Sequence, residues 1–201
     1  MVEVFLSFII FFICLSVHEA AHAFASLKLG DPTAKIEGRL TLNPLAHIDP
    51  VGTVIVPIFL ILSGLPAFGW AKPVVIDPRN FRDPARDSFL AAIAGPLSNL
   101  VFALLLAIII RIIGGANGIV VDLIILAIEI NIVLAIFNLI PIPPLDGSKV
   151  WLLVAREQTY YTFEAMGPFL LMAVIIFSYS TGISIFGWVT SITNLITGRI
   201  V

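Results

Sequence analysis

The chain has 201 residues, 59% of them hydrophobic and 12% charged, with a mean hydropathy of +1.08. That balance excludes a soluble domain with a solvated surface and marks an integral membrane protein. A formal net charge of −2 with no basic stripe argues against nucleic acid as a partner, and a single cysteine, Cys14, excludes an internal disulfide.

The first apolar stretch, Val2 to Leu29, would be roughly 42 Å long as a helix, enough to cross a hydrocarbon core of about 30 Å. Its start resembles the core of a secretory signal, with Ala21-His22-Ala23 as a cleavage site. The leading "MVE" carries an acid and no Lys or Arg, so the stretch is read as a retained membrane helix. Near its C-terminal end stands "HEAAH", residues 18 to 22. On a helix His18 and His22 point the same way one turn apart, a spacing that suits one Zn2+. Glu19 then lies where it can hydrogen-bond a metal-bound water and take its proton. An ionised glutamate without a task is costly inside a membrane helix, which argues against a chance match.

Two polar stretches follow, Gly30 to Pro50 and Pro66 to Asp87. Within them residues 34–42 and 72–77 read as short strands bounded by turn formers, predicting a small sheet at the membrane surface. His47 in "TLNPLAHIDP" reads either as a surface hydrogen-bonding residue or as a gating ligand near the metal. Between these stretches Val51 to Leu65 is apolar but shorter than the ~20 residues a spanning helix needs.

Ser88 to Ile113 and Ile119 to Ile140 are the next spans. In the first, Ala91, Gly95, Asn99 and Ala103 recur every four residues, a small-residue face for close helix packing, with Asn99 available to bond across it. In the second, Asn131, Ala135 and Asn138 share a face. Asn138 reads either as an oxyanion donor or as an interhelical hydrogen bond; Glu129, in mid-span, implies a buried partner or a polar cavity. Phe163 to Ser178 and Ile183 to Ile196 close the chain.

A catalytic zinc usually has three protein ligands and an open position. The metzincin spacing would put the third at Lys28, so His47, Asp49, Asp146 and a few surface acids remain. Asp146 follows three prolines in "FNLIPIPPLDGSKV", an irregular segment tolerated at membrane depth only where protein or a polar cavity satisfies it. Its other reading is a helix N-cap. If His22 and Asp146 share a metal, both lie at the C-terminal ends of spans, so an even number of crossings separates them. Val51 to Leu65 is then re-entrant. Lys28, Lys35, Arg39, Lys72, Arg79, Arg82 and Arg86 thereby fall on one side, which the positive-inside rule makes cytoplasmic, with the N-terminus outside.

The sequence thus predicts an all-α polytopic membrane protein, one domain over residues 1–201, with about four to five transmembrane helices, a re-entrant segment and a small membrane-surface β-sheet. "HEAAH" (18–22), "AGPLSN" (94–99) and "NLIPIPPLDG" (138–147), in that order, resemble the site-2 proteases, zinc metalloproteases that cut transmembrane helices within the membrane. The resemblance implies one Zn2+ on His18, His22 and Asp146, Glu19 as general base and then acid, and Asn138 assisting. It implies the compact branch without PDZ or CBS domains, with transmembrane proteins as substrates, the lipid bilayer as surroundings and a membrane protein as possible regulator. Against the family pattern, Ser148 stands where a second glycine is common, and the chain is expected to lack the helix upstream of HExxH that many members carry. An exposed edge of the sheet, Arg39 to Leu42 or Lys72 to Ile76, is expected to hold an unwound substrate by strand addition. The competing function is a membrane metal-binding or transport protein using the same His/Asp cluster.

Overall fold

A computed structural model describes residues 2–63, 72–113 and 118–181, together with Ile192 and Leu195. The expected span Ile183 to Ile196 lies, apart from those two residues, outside the described part. Helix α1 runs Val2–Leu29. It stops at Gly30, whose φ of +117° only glycine adopts freely, and the Asp31 N–H reaches back to the Ser26 carbonyl at 2.9 Å, a Schellman closure.

The turn delivers Asp31 to a buried position where its carboxylate accepts from the Thr33 N–H and hydroxyl, the Asp77 N–H and the Asn80 amide. One side chain thus ties the end of α1 to the turn that precedes α4. Burial works to raise the Asp31 pKa, but these hydrogen bonds outweigh it and hold it below the ordinary carboxylate range. A depressed folded pKa contributes stability that is present above the unfolded value of about 4 and is lost as pH falls through the folded one. Asp31→Asn is expected to cost about 2–3 kcal/mol at neutral pH, the scale of hydrogen bonds to a charged group. It should also flatten the acid limb of denaturant melts in detergent, and an unchanged limb would show that the carboxylate carries no such linkage.

After α1 come α2 (Thr33–Ile36), a 3-10 turn (Pro44–His47), a π-helix (Pro50–Ile55) running into α3 (Val56–Leu62) and a 3-10 turn (Pro78–Asn80). The expected sheet is corrected here: no strand occurs among the described residues. Residues 33–36 wind into a helical turn, Gly38 at φ +71° reverses the chain, and 39–42 bend instead of extending. Residues 72–77 have no regular secondary structure; the amides of Lys72, Val74 and Asp77 go to the His47 carbonyl and to the Glu19 and Asp31 carboxylates, in place of a cross-strand ladder. Neither expected edge is a strand.

Helix α4 (Pro84–Ile112) opens with Asp83 as its cap, accepting from the Arg86 N–H, and with proline at the first position. α5 (Ile119–Leu139), α6 (Trp151–Val154) and α7 (Glu157–Thr181) follow. Among the described residues 4 helices, α1, α4, α5 and α7, are long and apolar enough to cross a membrane. The Pro50 to Leu62 stretch is too short to do so, and the Lys72 N–H meets the His47 carbonyl at 3.0 Å on its far side.

The core is where α4 lies against α1 and α5. Ala91, Gly95, Asn99, Ala103 and Ala107 form its buried stripe, and α5 answers with Ala127, Ile128, Asn131, Ile132 and Ala135. Water drives nothing together inside lipid, so association rests on close van der Waals fit and buried polar bonds, which small residues permit. α1 and α4 are antiparallel: His22 meets Ala91 and Cys14 meets Asn99. α5 runs back beside α1, with Asn131 at the level of Cys14, and delivers the chain to the His22 end. Two long apolar helices, α4 and α5, therefore lie in sequence between the two halves of the site.

Candidate metal centre

His18 and His22 are buried on α1, and α4 makes room for them. A β-carbon on Gly95 would lie 2.3 Å from His22 Nε2 and 2.8 Å from His18 Cε1, so only glycine fits beneath the rings. Each ring is held at its other nitrogen. His18 Nδ1 donates to Asn99 Oδ1 at 2.6 Å, and His22 Nδ1 to the Ala91 carbonyl at 2.8 Å. The Asn99 amide orientation follows from its neighbours, since Nδ2 faces the Cys14 carbonyl at 3.2 Å and Asn131 Oδ1 at 2.7 Å. Asn131 is fixed in turn by giving its own Nδ2 protons to the Ala127 carbonyl and Cys14 Sγ. This chain across three helices makes Nδ1 the protonated nitrogen on both histidines and turns the Nε2 lone pairs inward.

Asp146 arrives from the opposite direction. It opens a 3-10 helix, Asp146–Val150, whose cap position is Leu145, so the N-cap reading does not hold. A β-carbon on Gly147 would come 2.2 Å from the Leu139 carbonyl oxygen, which shows how closely this turn folds back on the end of α5. Asp146 Oδ2 lies 3.1 Å from His18 Nε2 and 3.3 Å from His22 Nε2, and the two Nε2 atoms are 3.0 Å apart. Oδ2 is buried and receives no hydrogen bond. Three lone pairs aimed at one point repel unless a cation sits among them. Donors at 2.0–2.2 Å from a tetrahedral zinc are about 3.4 Å apart, close to the observed separations. The residues fit a zinc ion.

Glu19, next to the first histidine, is buried, and its Oε2 accepts from the Val74 N–H at 3.0 Å. Nothing in the sequence pattern announced that contact, which anchors the carboxylate to the 72–77 segment. Asn138 Nδ2 donates to the Leu134 carbonyl of its own helix at 3.0 Å. His47 is fully buried, with Nε2 3.0 Å from the Thr41 carbonyl, so it is not a surface residue and it lies outside the His18, His22 and Asp146 group. Asp49 is spent capping the π-helix through the Val51 and Gly52 amides. Glu129 is half-buried on α5 and also outside the group. Ala91 and Asn131 were missed as supports of the site. Asn131 had a signal, since it shares the buried face that the spacing of α5 defines, but a backbone carbonyl leaves none.

Fold and site together define a helical protein with several helices long and apolar enough to cross a membrane and a group of two buried histidines and one carboxylate that could hold a metal ion. Residues 113–180 match the model of Peptidase family M50, a stretch that includes Asn138 and Asp146. A Bacillus subtilis (strain 168) protein named "Putative zinc metalloprotease YwhC" is 39% identical over 147 residues, 69% of this chain and 64% of its own length. Two mycobacterial relatives, both zinc metalloproteases Rip2 by name, are 32% identical over 66% of the chain and 51% of their length (Mycolicibacterium smegmatis) and 27% identical over 82% and 62% (Mycobacterium tuberculosis, strain H37Rv). The chain thus spans between about half and two thirds of the length of these relatives. No solved structure matches it significantly. The chain belongs to Peptidase family M50, the site-2 proteases.

Proposed function

We propose that the protein is an intramembrane zinc endopeptidase that cuts transmembrane segments of membrane proteins. The observation that carries this reading is the convergence of the His18 and His22 Nε2 atoms and Asp146 Oδ2 on one point, with Glu19 next in sequence to the first of these histidines on the same helix. A zinc ion held by His18, His22 and Asp146 supplies Lewis-acid polarisation of the scissile carbonyl and a nucleophilic water near neutral pH. Glu19 does the proton work. With Oε2 held by the Val74 N–H, Oε1 takes the proton from the attacking water and returns it to the amine that leaves. Asn138 assists by steadying the developing oxyanion, which requires its amide to release the Leu134 carbonyl. His47 acts through the backbone, since its carbonyl holds the Lys72 amide and so the segment that anchors Glu19. The substrate helix unwinds locally, because its own hydrogen bonds otherwise shield the bond to be cut.

Purified protein in liposomes with single-span substrates should give products that disappear with a zinc chelator and return on adding zinc. Products that persist after full chelation would overturn the proposal.

In the same reading the protein is multi-pass in the cell membrane, its N-terminus outside and its site toward the cytoplasm. The meeting of His47 and Lys72 supports a re-entrant course between them, keeping the basic residues of both flanks on one side. Single cysteines at Leu45 and Arg79, in a chain whose Cys14 is replaced by alanine, should react from the cytoplasmic face alone. Labelling of the two from opposite faces would exclude the re-entrant course.

A further inference from the structure

Helix α7 touches the rest of the described chain along a narrow seam. Tyr160 and Gly167, its buried residues among those whose burial is described, lie on one face two turns apart, with Phe163 and Glu164 between them. All four meet the segment that carries Asp146. Gly167 sits so close to Pro143 that a β-carbon would come within 2.7 Å of it. Phe163 packs edge-on against Trp151, with ring centroids 6.1 Å apart, and the Trp151 indole donates to the Pro141 carbonyl at 2.9 Å. Between these contacts Lys149 Nζ donates to Glu164 Oε1 at 2.7 Å and to the Tyr160 hydroxyl at 2.6 Å, and that hydroxyl donates to Glu164 at 2.8 Å. Lys149 and Asp146 belong to one short 3-10 helix, so a shift of one carries the other.

We propose that Lys149, Tyr160 and Glu164 are positioning residues that fasten the Asp146 turn to α7 and hold its carboxylate at the distance the two histidines require. The inference rests on the metal-site reading above. Three features support a specific role over ordinary surface pairing. The three groups satisfy one another in a closed triangle of hydrogen bonds. The Tyr160 hydroxyl is delivered by a side chain that is 2% exposed. Burial works against the Lys149 ammonium, yet Glu164 and Tyr160 outweigh it and hold the amine charged, above its ordinary value.

The test is metal affinity in the purified full chain, with Co2+ absorption reporting ligand geometry and a competing chelator giving the Zn2+ affinity. Lys149→Met and Glu164→Gln should each weaken binding about tenfold and alter the cobalt bands, as loss of an outer support does elsewhere. The double variant should be no worse than either single one, because the same contact is lost. Lys149→Arg should recover part of the affinity. Met166→Ala, on the exposed back of α7, should bind as the wild type does. Should the charge variants fail to fold, Tyr160→Phe removes the hydroxyl alone and should weaken binding in the same direction. Singles that bind like the wild type, or losses that multiply in the double variant, overturn the clamp while leaving the metal site intact. A wild-type chain that takes up neither ion overturns the site reading and the clamp together.

Discussion

Gly95→Ala is expected to cost the protein its metal while leaving its fold in place. Alanine is the better helix former by about 1 kcal/mol, so α4 itself gains from the change. The added methyl would, however, fall 2.3 Å from His22 Nε2, 2.5 Å from its Cε1 and 2.8 Å from His18 Cε1, all far inside contact distance. The rings have no easy retreat, because Asn99 and the Ala91 carbonyl hold each at Nδ1. Whichever ring moves breaks that bond and swings its Nε2 away from Asp146. Zinc affinity should fall by on the order of 100-fold, the upper range for losing an outer-shell support, and proteolysis should fall with it. Circular dichroism and the melting temperature in detergent should stay close to wild type. Unchanged zinc affinity in Gly95→Ala would show that the rings do not sit where the structure places them.

The same glycine illustrates what the sequence made legible. Its place in a four-residue repeat with Ala91, Asn99 and Ala103 marked a packing face, and the structure buries that face. Periodicity reports which side of a helix is buried, but not what the neighbouring helix presents there. That Gly95 clears space for two imidazoles therefore needed coordinates. HExxH was legible because both histidines lie on one helix, where spacing alone fixes their directions. Asp146 was reachable because prolines at membrane depth imply an irregular segment with a reason to exist, and the structure brings its carboxylate to the two histidines. The sheet failed for a physical cause. β-branched residues favour extended backbone, but a strand needs a partner ladder, and the amides of Lys72, Val74 and Asp77 are taken by a carbonyl and two carboxylates remote in sequence. His47 was misjudged because a histidine in a polar turn is indistinguishable in sequence from one folded beneath it. The Asn99 to Asn131 chain and the α7 seam share that limit, since each joins helices whose registry no single-helix pattern contains.

Glu19→Gln and Asp146→Asn are expected to abolish proteolysis by different routes, and the contrast separates a peptidase from a metal carrier. Glutamine keeps the shape of Glu19 and still offers an oxygen to the Val74 N–H, so the 72–77 segment and the histidines stay in place. What it lacks is a group that accepts a proton. Cleavage should therefore fall by about 10²–10⁴-fold, the contribution of a positioned general base, in kcat and not in KM, with zinc affinity within about twofold of wild type. Asp146→Asn removes the one carboxylate from the group of two histidines and one acid. Its zinc affinity should fall further than the 10–100-fold typical of an outer-shell loss, and added zinc should restore part of its activity, whereas no zinc concentration should rescue Glu19→Gln. A carrier would behave in the opposite way, because transport needs ligands and no proton acceptor beside them. Zinc flux into liposomes that survives in Glu19→Gln, without cleavage by the wild type, would reject the peptidase reading and retain the metal centre.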